Sequence, residues 1–74
     1  MSLKIERCYD LLDADGRRVS MTHDHDEAMG EMIKGNIDSF VAYNKLGHYM
    51  SVVYFYDQAQ LKEDLENGTI KINE

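Results

Sequence analysis

The nine residues from His48 to Tyr56 are the most strand-prone stretch of the chain, and both faces of that strand are substantially apolar. His48, Met50, Val52, Tyr54 and Tyr56 share one parity, and Tyr49, Ser51, Val53 and Phe55 share the other. An antiparallel sheet with helices on one side should show a polar face here. Either helices cover both faces, or a second chain covers one of them. A chain of 74 residues has few helices to offer. It buries only ~60% of its unfolded surface, so a large enclosed catalytic pocket is not expected.

The remaining segments supply partners for that strand. Leu3, Ile5, Tyr9 and Leu11 share a parity, interrupted by Arg7, which predicts a half-buried first strand. Asp13-Ala14-Asp15-Gly16 is turn chemistry, and Val19 and Met21 alternate with polar residues on a return strand. Asp24 is placed to cap a helix, with Glu27 completing a capping-box pattern. Ala28, Met29, Met32 and Ile33 form the apolar stripe of that helix, and Gly35-Asn36 predicts its end. Ile37, Phe40 and Val41 could continue the stripe as a longer helix, an option the Gly35-Asn36 stop disfavours. A strand over Ser39–Tyr43 and a turn over Asn44–Gly47 then lead into His48–Tyr56. Asp57 begins a second helix carrying Leu61 and Leu65, Asn67-Gly68 ends it, and Thr69–Ile72 reads as a closing strand. The expected fold is α+β: a mainly antiparallel sheet with two helices in the order ββαββαβ.

Residues 1–74 are read as one compact domain, with Met1–Leu3 given no weight as a disordered or cloning-derived start. The chain is 43% hydrophobic and 30% charged, the balance of an ordinary folded protein. Fourteen acids against eight bases give a net charge of −6. The two halves share it evenly, with eight acids and five bases in residues 1–37 and six and three in residues 38–74. No apolar run approaches the ~20 residues of a membrane span, and no basic-then-apolar leader opens the chain. A cytoplasmic protein that binds no membrane is therefore expected.

Chemistry-bearing patterns are sparse. His23-Asp24-His25-Asp26-Glu27 gathers two imidazoles and three carboxylates, a composition that could attract a transition metal. Its spacing is poor, because residues two apart diverge on entering a helix. A capped helix start explains the cluster without a metal, and no metal ligand or cofactor is assigned. Asp13, Asp15 and Gly16 fail as a calcium loop, since Arg17 and Arg18 stand at the fifth and sixth positions from Asp13. The single Cys8 excludes an internal disulfide and reads as a small hydrophobe within the first strand. Ser2, Ser20, Ser39 and Ser51 sit in no nucleophile elbow, and the scattered glycines form no phosphate cradle. No catalytic residue is assigned and no enzyme is expected.

Nucleic-acid binding is also disfavoured, because the only adjacent bases are Arg17 and Arg18 in a net-acidic chain. The expected function is a small acidic, non-catalytic protein-interaction module that self-associates as a homodimer through its aromatic strand. Tyr49, Met50, Tyr54, Phe55 and Tyr56 are the expected interface residues. The alternative is a metal- or small-molecule-binding protein using His23 and His25, together with His48. A lesser option is an acidic inhibitor mimicking nucleic acid, for which the acids are too dispersed.

Overall fold

A computed structural model describes residues 4–70. The elements run β1 (Glu6–Leu12), β2 (Arg18–Thr22), α1 (His25–Lys34), β3 (Ser39–Leu46), β4 (Tyr49–Asp57) and α2 (Gln58–Glu66). The strands form one antiparallel sheet in the order β2-β1-β3-β4. This is the expected α+β architecture. Of the expected closing strand, Thr69 and Ile70 form a bend, and Lys71 and Ile72 lie outside the described residues.

The two hairpins are set by their turns. In the first, Gly16 has φ 81° and donates its N–H to the Asp13 carbonyl at 2.9 Å. The Asp13 carboxylate accepts from the N–H groups of Asp15 and Arg17, each at 2.9 Å. Nothing lies within 4 Å of where a Cβ on Gly16 would stand, so a substitution there is opposed by backbone conformation alone. Gly16→Val is expected to cost about 1 kcal/mol or more. The check is a lower urea midpoint at unchanged slope, and an unshifted midpoint would contradict it.

The second hairpin differs from the sequence expectation. Asn44, Lys45 and Leu46 belong to β3, and Leu46 pairs with Tyr49, so the loop is only Gly47-His48. Gly47 has φ 60°, while no non-glycine residue among those described has positive φ. A tight two-residue turn with glycine first matches the twist of the flanking strands. Polar residues at Asn44 and Lys45 resemble turn chemistry, yet pairing with Arg7 and Glu6 of β1 holds them in the ladder.

Helix α1 starts at Asp24 and stops at Gly35, as expected. The capping box does not close, however. Asp24 accepts from Asp26 N–H at 3.0 Å, while its own N–H donates to Thr22 Oγ1 at 3.1 Å. Thr22 Oγ1 in turn donates to Glu27 Oε2 at 3.1 Å, so Thr22 has taken the place between them. Helix α2 is capped by Asp57, whose Oδ1 accepts from Gln60 N–H at 2.9 Å. The Gln58 side chain donates to the Met32 and Ile37 carbonyls, both at 2.9 Å, tying the end of α1 to the approach to β3.

Both helices pack on one face of the sheet. Tyr9 opposes Ala42 and Leu11 opposes Phe40 in the β1–β3 register. These four form one buried core with Ala28 and Met32 of α1, Ile37 of the connection, and Leu61 of α2. The opposite face carries Cys8, Asp10, Val41, Tyr43, Val52 and Phe55, and receives no helix. Each edge strand also holds one extra residue: Val19 in β2, between the Leu12–Arg18 and Leu11–Ser20 pairs, and Val53 in β4, between the Tyr43–Val52 and Ala42–Tyr54 pairs. No described helix is long and apolar enough to cross a membrane.

Candidate functional site

The extra residue at Val53 decides which side chains of β4 are free. It breaks the simple alternation, so Met50 and Val52 share a face with Phe55 instead of with Tyr54 and Tyr56. Tyr54 and Tyr56 turn toward the helices and pack against the core. Phe40 lies between them and Tyr9, with ring centroids 6.0 Å from Tyr54, 5.4 Å from Tyr56 and 5.7 Å from Tyr9. This corrects the placement of Tyr54 and Tyr56 with Met50 on one face. Their rings belong to the helix-covered side, whereas Phe55 is 57% exposed on the other.

Beyond Val53 the strand leaves the helices behind. Tyr49, Met50, Ser51, Val52 and Val53 are all exposed, Tyr49 to 83%. β1 flanks β3 as far as the Glu6–Lys45 pair, so the turn lies just past the last β1–β3 partners and β4 forms the free edge of the sheet. Leu46 to Tyr56 contains no Asp, Glu, Lys or Arg, in a chain that is 30% charged as a whole. On the helix-free side the exposed apolar residues of β4 are Met50, Val52 and Phe55; Met21 lies on the same side at the far edge, β2, with Asp10 and Val41 between it and Phe55. Val52 and Met21 were not singled out by sequence, since Val52 was grouped with the tyrosines and Met21 with an ordinary hairpin.

Burial raises the pKa of three tyrosine hydroxyls, and two of them, Tyr43 and Tyr56, also have acid partners. Tyr43 is 6% exposed although it lies on the helix-free face. Its hydroxyl donates to Asp10 Oδ1 at 3.1 Å, and Arg18 Nη1 stands 3.7 Å from the same oxygen. Burial first, and the Asp10 hydrogen bond second, push the Tyr43 hydroxyl up to about 12. Burial and a 2.7 Å hydrogen bond to Asp64 Oδ2 hold Tyr56 well above the ordinary phenol range. Burial, with Tyr9 close by, raises Tyr54. The neutral phenol is favoured in the folded state, so its contribution is complete below pH ~10, where unfolded tyrosine ionises. Above that pH the unfolded chain loses protons that the folded chain keeps, and stability falls. An absorbance titration should show these three of the five tyrosines ionising late, with the urea midpoint declining only on the alkaline side of ordinary tyrosine. A midpoint that stays flat through that range would contradict the assignment.

The histidine cluster divides. His23 precedes the helix, with Nε2 4.0 Å from Glu6 Oε2. His25 sits on the first turn of α1, its ring 5.8 Å from Tyr9 and its Nδ1 3.5 Å from Asp26 Oδ1. The diverging directions follow from the strand-to-helix transition at Asp24. His48 occupies the β3–β4 turn. Cys8 is free and 1% exposed, in keeping with its reading as a packed hydrophobe. A groove of about 380 Å³ opens between the helices and the sheet, floored by Met29, Ile33, Phe40, Tyr54 and Tyr56. Of its polar lining, Tyr56 donates to Asp64, and His25 and Asp26 stand on the side of α1. Comparison of the chain with protein-family models, curated proteins and solved structures gives no match.

Proposed function

We propose that this chain is a small, non-catalytic protein-interaction module that pairs with a second copy of itself through the outer side of β4. The observation that carries the reading is the uncharged, exposed strip of Met50, Val52 and Phe55 on the helix-free side of β4, with Tyr49 exposed beside the turn on the other side. Two chains of charge −6 repel one another, so they meet at least cost where neither presents an acid. The Leu46–Tyr56 stretch meets that condition. It also lies at the sheet edge, where a two-fold axis brings the same strand of each copy together and makes the contact self-complementary. Tyr and Met are favoured in the cores of such contacts.

The reading built on His23 and His25 as joint ligands is weaker, because the two rings face separate neighbours. Sedimentation at low and high micromolar concentration tests the proposal. The expected result is a species of twice the 8.6 kDa chain mass, tightening as added salt screens the mutual repulsion. A chain that sediments as a single copy at high micromolar concentration in high salt would refute self-association.

A further inference from the structure

We propose that Glu6, Cys8 and His23 form a zinc-binding site on the helix-free side of the β1–β2 pair, independent of the β4 contact. Glu6 and Cys8 are two apart in β1 and so project from the same face. Tyr9 pairs with Thr22, which brings His23, the next residue, beside Cys8. The carboxylate, thiol and imidazole donor atoms all lie within 4.8 Å of one another. Among the described residues no other trio of such donors comes together.

Zinc bonds of ~2.0–2.3 Å place tetrahedral ligands roughly 3.3–3.8 Å apart. His23 Nε2 and Glu6 Oε2 are already 4.0 Å apart. The remaining contraction is under about 1.5 Å and falls on the two exposed side chains, whose rotamers are free to move. Cys8, held in a central strand with partners on both sides, is the fixed point. The ion enters from the Glu6–His23 side, displaces the thiol proton to solvent and binds the thiolate. A thiolate–imidazole–carboxylate set favours zinc over calcium or magnesium. Three protein ligands leave the fourth position to water. Lys45 lies opposite Glu6, and its exposed, flexible stem lets the ammonium swing away from an arriving cation.

Cobalt(II), which reports its ligands optically, is the probe, used with the full chain under a non-chelating reductant. The expected result is one ion per chain, with a near-ultraviolet thiolate-to-cobalt band that zinc abolishes by displacement. His23→Ala should weaken binding by ~100-fold or more, since even outer-shell partners of a metal are worth 10–100-fold. His25→Ala should leave affinity unchanged within about twofold, because His25 contributes no donor. Both positions are exposed, and circular dichroism confirms that each variant is folded. Absence of the thiolate band would overturn the proposal. So would His23→Ala binding as tightly as the wild type, or His25→Ala losing as much as His23→Ala.

Discussion

Phe40→Ala should remove a large part of this domain's stability and lower its melting temperature steeply. Phe40 is fully buried at the centre of the sheet, and its ring meets Tyr9, Tyr54 and Tyr56 at once. Truncating a buried phenylalanine costs about 3–5 kcal/mol, from lost transfer energy and the cavity left behind. At roughly 0.05–0.15 kcal/mol per residue, a chain of 74 residues has about 4–11 kcal/mol in total, so the loss takes a large share of it. The remaining core cannot close the gap, because the cross-strand neighbours Leu11 in β1 and Tyr56 in β4 are anchored in paired strands on either side. Phe40→Leu, which keeps most of the volume, should retain a cooperative melt. Thermal unfolding followed by circular dichroism reads both variants. A Phe40→Ala protein that melts within a few degrees of the wild type would mean the core is assembled elsewhere.

Adjacent residues of β4 should give opposite results with the same substitution. Tyr54→Asp removes a ring that packs on Phe40 and puts a carboxylate against the core, at an expected cost of about 2 kcal/mol or more. Phe55→Asp alters a side chain that is mostly in solvent, so folding should be nearly unaffected while self-association is lost. Denaturation and sedimentation of the two variants separate core from surface in one experiment. If Phe55→Asp unfolds the chain and Tyr54→Asp does not, the assignment of faces is inverted. If Phe55→Asp still sediments as the paired species, the contact lies elsewhere.

Much of this fold is legible in the residues. Asp13 to Gly16 announces the first turn, Asp24 and Gly35 bound α1, and Asp57 caps α2, because each answers a local need of the backbone. The failures share a physical cause, which is pairing across the sheet. Asn44 and Lys45 look like turn residues and become strand because β1 supplies partners for them. The extra residue at Val53 is fixed by its β3 neighbours, so strict alternation misassigned Tyr54 and Tyr56. Glu6, Cys8 and His23 are adjacent only through the β1–β2 register, whereas the eye-catching run from His23 to Glu27 is dispersed by the turn into α1. For the site, exposure at Tyr49, Met50 and Phe55 agrees with the expected strand, while the face that Val52 joins depends on the extra residue at Val53.

The extra valines of the two edge strands set a limit on growth. A flat sheet with an apolar border can recruit copy after copy, each newcomer offering the next one a fresh border, and that is how fibrils lengthen. Here Val19 kinks one border and Val53 the other. A copy that docks against β4 meets a bent rail, on which straight pairing cannot run the full length of the strand. What the molecule leaves open to β-pairing is therefore short and curved at both ends of the sheet. Were two copies to pair as proposed, the remaining borders would offer a third copy no straight template.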